Sequence, residues 1–258
     1  MAFFPVLWKM TQVYNKKSIS PGFVMFQLRL LALFLACVLS WPAAAQVRVL
    51  IGSTSRFSPD AGGQGYAYAV TRAIAQRVGF AKVFEMMPWA RARMIAEHES
   101  NVLLAPVVRV PSRETHFQWL VPLLEDDFVL VSQKPIDMKA VAQKNICVLR
   151  GSAAIELTDR LGYRHLGLAT DEEQGLHSLL AGNCDLWLVG RHPAIALIQQ
   201  AGRPVSGFYF SASLEHLTMY LVASRNFNTD EARRWQAAYE TMRIDGTLTA
   251  LRRSYAID

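Results

Sequence analysis

Cysteine is scarce in this chain: three in 258 residues, at positions 37, 147 and 184. No two of them share the close spacing of a zinc or dithiol site, and the six histidines are scattered without a His-x-x-x-His pair. The sequence therefore carries no metal-site pattern, and no cofactor is expected. It also has no Gly-x-Ser-x-Gly elbow, no phosphate-binding glycine loop, no repeat array and no low-complexity tract, which leaves the common nucleophile and nucleotide chemistries without a signature. Acid is missing altogether from the first 45 residues, which hold Lys9, Lys16, Lys17 and Arg29. The formal charge of +6 is therefore partly a property of that segment: beyond it, 23 basic residues face 21 acidic ones, a net of +2. Such a balance excludes a polybasic nucleic-acid binder. A hydrophobic share of 52% likewise excludes a disordered or collagen-like chain.

What is present begins with a leader. From Met25 the sequence reads MFQLRLLALFLACVLSWPAAA, then Gln46. Arg29 supplies the positive region, Leu30–Leu39 the apolar core and Ala43-Ala44-Ala45 the small-residue cleavage site, the layout of a secretory signal peptide over residues 1–45. Counted from Met25 the leader has an ordinary length, so Met25 is read as the true start. A membrane anchor is the alternative, but Arg29 and Pro42 leave too short an apolar run to span a bilayer. Cys37 as a lipoprotein cysteine is a third reading; Phe34-Leu35-Ala36 fits that box poorly. Export places the mature chain in an oxidising, periplasmic compartment. Cys147 and Cys184 lie in or beside apolar strand-like runs there, and a disulfide between them is expected, two buried free thiols being the alternative.

From Val47 onward, short apolar runs alternate with amphipathic segments. Strands are expected at Val47–Ile51, Lys82–Met87 and Val102–Val108, with helices at Tyr66–Val78 and Trp89–Glu97. The pattern then restarts, with strands at Phe128–Ser132, Asn145–Leu149, His165–Ala169 and Asp185–Val189. Helices at Ala153–Leu161, Glu172–Ala181 and Pro193–Ala201 separate the later ones. Leu217–Ala223 reads as a further strand, and Thr229–Arg243 and Thr247–Tyr255 as closing helices. The fold class is α/β, with two successive units each built on a mainly parallel sheet flanked by helices. Ligands of such folds bind at the strand ends, here in a cleft between the units.

Several stretches carry a resemblance. Pro88-Trp89-Ala90-Arg91-Ala92, then Arg109-Val110-Pro111-Ser112-Arg113-Glu114 with Phe117 and Trp119, are similar to the first lobe of bacterial extracellular solute-binding proteins, family 3. Arg150-Gly151-Ser152 resembles that family's second-lobe loop, Ala181-Gly182-Asn183-Cys184-Asp185 its Gly-x-x-Asp turn, and Tyr220-Leu221-Val222 through Asp245-Gly246-Thr247 its closing strand and helices. The resemblance covers roughly residues 47–255 and implies a monomeric, two-lobe Venus-flytrap protein that closes on a small ligand. Such a protein hands its ligand to the membrane permease of an ABC importer, or presents it to a sensor receptor. It implies lobe 1 over 46–130, lobe 2 over 131–218, and a return strand with helices packing on lobe 1 over 219–258. The crossings between lobes are expected near Val129–Gln133 and Leu217–Leu221.

The resemblance also nominates residues. Arg113 falls where the family presents an arginine to a ligand carboxylate, a role suited to a planar guanidinium with parallel donors; a surface arginine is the alternative. Gly151 and Ser152 would offer a helix start and a hydroxyl to the same anion, unless Ser152 is simply an N-cap. Trp89 is either a stacking wall or a core residue. Phe57 is expected on a cleft loop, Tyr66 in the core, and Arg91 and Arg191 as further anion contacts or solvent-facing cations. Two departures matter. Val108 and Val110 stand where amino-acid binders place hydroxyls, and Gly190 stands where they place the acid that pairs with the ligand ammonium. The cleft is therefore expected to suit a small polar or anionic ligand lacking an ammonium group. Asp126-Asp127 and Asp171-Glu172-Glu173 read as solvated edges. An enzyme is not expected; a dehydratase acting on small cyclic acids is the alternative, with His192 and Glu125 as its only candidate acid–base groups.

Overall fold

A computed structural model of the chain describes residues 46–52 and 65–255. The leader and Phe57 lie outside the described residues. Alternating burial dictates the sheet. In β1 (Arg48–Gly52), Val49 and Ile51 point into one apolar cluster and Leu50 into another on the opposite face. Both faces are covered, as the continuous apolar runs require. Parallel partners flank β1: β2 (Glu85–Met87) on one side and β3 (Val102–Val108) on the other. Between them run α1 (Tyr66–Arg77) and α2 (Trp89–His98).

The main departure from the sequence expectation is β4, a single 16-residue strand over Phe117–Ser132. It pairs antiparallel with β9 (Glu215–Ser224) from Phe117↔Ser224 to Phe128↔Glu215. At its far end it pairs with β7 (Leu186–Gly190) from Phe128 to Val131. Phe128 pairs with both neighbours, Glu215 of β9 and Gly190 of β7. Beyond β7 lie β5 (Ile146–Leu149) and β6 (Leu166–Ala169), parallel to one another, and short β8 (Tyr209–Phe210) caps the end of β4. The full order is β2-β1-β3-β9-β4-β7-β5-β6, one sheet path in which β4 and β9 belong to both halves. Within the described residues this is the two-lobe α/β architecture.

Four apolar clusters hold the halves. In the second half, Leu130, Ile146, Val148 and Leu188 face α3 (Ala153–Leu161), while Val129, Val131, Trp187 and Val189 face α4 (Glu172–Leu180) and α5 (Arg191–Gln200). Cys147 and Cys184 are disulfide-bonded inside that second cluster, with Cα atoms 5.8 Å apart. In the first half, Trp235 and Met242 of α6 (Thr229–Ile244) and Leu248 of α7 (Thr247–Ser254) join Val70 and Ile74 of α1 in one cluster.

Candidate functional site

The crossing strands bring the start of α2 against the loop that opens α3. Trp89 begins α2 and is 3% exposed; its Nε1 donates to the Gly151 carbonyl at 3.0 Å. Arg113, in the short turn after β3, is equally buried and lies over the Trp89 ring at 5.5 Å. Its Nη1 donates to the Val108 carbonyl at 3.2 Å and its Nη2 to the Gly151 carbonyl at 3.1 Å. One carbonyl of the second half thus takes two donors from the first. Gly151 is needed for this approach. Its φ is +71°, a left-handed conformation that glycine adopts without strain. A third contact, Ser112 Oγ to Glu156 at 2.6 Å, closes the same seam.

Behind that seam is a narrow cavity of about 60 Å³, the liquid volume of about two waters at ~30 Å³ each. Trp89, Val108 and Met219 wall it from one side, and Phe128, Leu149 and Pro193 from the other. Three polar residues open onto it: Arg113, Ser152 and Glu172. Each has a buried polar atom without a hydrogen-bond partner among the described residues, namely Arg113 Nε, Ser152 Oγ and Glu172 Oε2. Burying polar atoms unpaired is costly, so each of these atoms calls for a partner, a water or a ligand group. Ser152 sits at the N-cap of α3 yet makes no side-chain cap bond, so its hydroxyl is left for the cavity. Burial, reinforced by nearby Arg93, pushes the Arg113 guanidinium down to about 10, which still leaves it charged at neutral pH.

The two acidic runs correct the sequence expectation. Asp126 is 3% exposed, not a solvated edge. Its Oδ1 accepts from the Asp127 backbone N–H at 2.8 Å and meets His192 Nδ1 at 2.9 Å, while its Oδ2 is buried without a partner among the described residues. Glu172 is half-buried as a residue, but its Oε2 is sealed from solvent. Burial, then Asp126 and Asp171, hold its carboxyl well above the usual carboxylate range. The hydrogen bond to Asp126 raises His192 above the ordinary histidine range, against the opposing effect of burial.

Gly190 faces Asp126 closely. A Cβ at that position would lie 2.4 Å from Asp126 Oδ2 and 2.9 Å from Pro193 Cγ. The carboxylate from the crossing strand occupies the space that a side chain at 190 would need.

The remaining nominated residues do not converge on the cavity. Arg91 is exposed on α2. Arg191 donates from Nη2 to the Ser211 carbonyl at 3.1 Å and lies over the Phe210 ring at 5.7 Å. Tyr66 packs in the core against Tyr255. Glu125, the other acid–base candidate, is exposed beside His216. Arg109 pairs bidentately with Glu114 at 2.8 and 3.0 Å and lies over the Trp119 and Tyr220 rings, which makes it a brace of the first half.

The architecture is the two-lobe periplasmic-binding-protein fold. Solved structures match it over 81% of this chain. A substrate-binding protein of an ABC uptake transporter from Streptococcus pneumoniae, with bound histidine, matches over 91% of its own length at 13% identity and a TM-score of 0.72. A histidine kinase sensor domain with similarity to periplasmic binding proteins matches over 96% of its length at 19% identity and 0.69. An ancestral arginine-binding protein bound to arginine matches over 97% at 19% identity and 0.67. At these identities the likeness establishes the fold. No family model and no curated protein sequence matches the chain.

Proposed function

We propose that this chain is a secreted, periplasmic solute-binding protein that closes its two lobes on a small polar ligand and delivers it to the permease of an ABC importer. One observation carries the reading: Arg113 from one half and Ser152 from the other line the same narrow cavity, each with a buried polar atom left unpartnered among the described residues. Arg113 Nε and Ser152 Oγ, with the start of α3, form a site for an anionic group of the ligand. Trp89 supplies the apolar wall, and the Gly151 carbonyl joins the halves once they close. Binding, without chemical turnover, is the activity. The disulfide and the leader pattern over residues 1–45 support an exported chain, which N-terminal sequencing of the secreted protein would test by finding Gln46 first.

The binding test is thermal-shift screening against amino acids, organic acids and small polar metabolites, with Arg113→Ala in parallel. A ligand at about 100 times its Kd stabilises the folded state by about 2.7 kcal/mol, a readily measured shift. A hit that vanishes in Arg113→Ala supports the arginine-anchored site; a hit unchanged in that variant overturns it. A sensory role is the second reading, supported by the likeness to the histidine kinase sensor domain. A permease gene beside this one favours delivery, and a sensor kinase gene favours presentation.

A further inference from the structure

We propose that a groove on the first half, between α1 and the segment that leads into β2, is a second ligand site, built for a small aromatic carboxylate. The inference is independent of the interlobe cavity. The groove has a volume of about 350 Å³, against about 60 Å³ for that cavity, and falls within the range of about 300–1,000 Å³ usual for small-molecule sites. Tyr68, Arg72 and Gln76 line it from one face of α1, at the spacing of successive helical turns. Phe80, Lys82 and Phe84 line it from the segment that follows.

The walls are held from behind. Gly79, at φ +76°, turns the chain out of α1, and the Phe80 N–H donates to the Ala75 carbonyl at 2.8 Å. Arg234 of α6 donates to the Val78 carbonyl at 2.8 Å. The Phe80 ring meets the fully buried Trp235 edge-on at 5.9 Å, and Phe84 lies 6.2 Å from Phe80 and 5.4 Å from Tyr68. Three rings thus form one aromatic wall tied to the core of the first half, yet each stays partly exposed. A wall anchored in this way keeps its shape, and it offers edges and faces against which another flat ring packs.

The charge on the groove is of one sign. Arg72 is exposed and has no partner among the described residues. Lys82 Nζ donates to the Val47 carbonyl at 3.4 Å and has two further protons to give. Among the described residues no acid lines the space. The carboxylates of the flanking elements are engaged elsewhere. Glu85 accepts from Arg48 Nε and Nη2 at 2.7 Å each, Asp245 pairs with Arg77 at 2.8 Å, and Glu231 pairs with Arg234 at 2.7 Å. The two cations therefore lack a counter-charge in the groove, which a ligand carboxylate supplies. The aromatic wall takes the ring that carries it. An ammonium on the same ligand would meet Arg72 and Lys82 as like charges, so the matching class is amine-free.

The test is calorimetric titration of the protein with hydrocinnamate, and with hydrocinnamyl alcohol, cyclohexanepropionate, acetate and inorganic phosphate for comparison. Hydrocinnamate should bind saturably. The alcohol should bind about five- to tenfold more weakly, between the worth of an exposed ion pair and that of a buried charged hydrogen bond. The cyclohexyl acid, which lacks the ring electrons, should lose about two- to tenfold. Arg72→Gln should weaken hydrocinnamate by the same five- to tenfold while melting within about 2 °C of wild type, which separates a lost contact from lost folding. Acetate or phosphate binding as tightly as hydrocinnamate means that the cations act alone, and overturns the proposal. So does a failure of hydrocinnamate to bind, and so does binding that survives Arg72→Gln but vanishes in Arg113→Ala, which assigns the acid to the interlobe cavity. Val83 lines the groove and is 89% exposed. A dimer in sedimentation that Val83→Asp disperses would make the groove a contact between copies of the chain and would equally overturn the ligand site.

Discussion

Gly190→Ala is the substitution that asks most of the packing described above. Gly190 has φ −63°, so alanine meets no backbone barrier, and any effect comes from the added methyl. That methyl would lie 2.4 Å from Asp126 Oδ2, 2.9 Å from Pro193 Cγ and 3.2 Å from Pro193 Cδ. Neither neighbour can step aside: the proline lies in the first turn of α5, and Asp126 is pinned by the Asp127 backbone N–H and by His192. Overpacking of this kind costs about 1–3 kcal/mol. Forcing the carboxylate off His192 adds roughly 1.5–3 kcal/mol for a charge-assisted hydrogen bond. With a Tm shift of about 2–4 °C per kcal/mol for a chain of this size, the variant should melt roughly 5–24 °C lower. Its His192, titrated by NMR, should return toward the ordinary value of about 6.5. Gly207→Ala, where nothing lies within 4 Å of the new Cβ, is the control and should stay within about 0.5 kcal/mol of wild type. A Gly190→Ala protein with wild-type Tm and an unmoved His192 would refute the claim that Asp126 fills this space.

Reducing the Cys147–Cys184 bond releases a loop with a sequence separation of 37, worth about 4 kcal/mol in the chain-entropy account. Thermal melts with and without reductant should therefore differ by roughly 8–16 °C; equal melts would deny the bond a stabilising role. Glu172 is held above its unfolded value, so the folded state binds its proton more tightly than the unfolded state does, and stability falls as pH rises from about 4.5 through the raised folded value. Glu172→Gln should remove that slope, matching wild type in urea unfolding near pH 4 and exceeding it near pH 8; a parallel pH profile would contradict it. Trp89→Phe deletes the Nε1–Gly151 bond at a cost of about 0.5–1.5 kcal/mol. Solution scattering should then show a larger radius of gyration, and unchanged scattering would mean that this bond does not hold the halves together.

Most of the element pattern was legible because its signals are local. The caps and breakers that bound α3, α4, α6 and α7 (Gly162, Asp171, Asn228, Gly246) stand in the sequence where the helices begin or end. What the sequence hid was long-range. Only the C-terminal end of β4 reads as a continuous apolar run; the rest is interrupted by Pro122, Glu125, Asp126 and Asp127, and its partner β9 lies about a hundred residues on. Had the strand been extended back from Phe128, the period of two through Leu124, Asp126, Phe128 and Leu130 would have put Asp126 on the buried face. Glu172 carried a comparable signal, four and seven residues before the buried Leu176 and Leu179 on one face of α4. In each case an acid on an apolar face was set aside as solvated because acids at element edges usually are. Family spacing nominated Arg113, Trp89 and Ser152, which the fold brings to the lining of one cavity, whereas the outlying nominees Arg91 and Arg191 rested on charge, and charge does not say which way a side chain points.

The distribution of the polar groups over the fold bears on how such a protein would sense its ligand. Trp89 and Arg113 come from the first half, Ser152 and Glu172 from the second, and Asp126 from the strand shared by both. A ligand that touches only Arg113 binds the open and closed forms with similar contacts, and a ligand with no differential affinity shifts no equilibrium. In the proposed site, one that also reaches Ser152 collects that contact only when the halves meet, so its free energy of binding goes directly into closure. The seam also has bonds of its own, from Trp89 and Arg113 to Gly151 and from Ser112 to Glu156. Those bonds narrow the gap that the ligand must cover, and they are the same for every ligand. Discrimination therefore has to come from the cavity's unpartnered atoms, where a wrong ligand leaves a buried charge or hydroxyl unsatisfied at a cost of about 1–3 kcal/mol each.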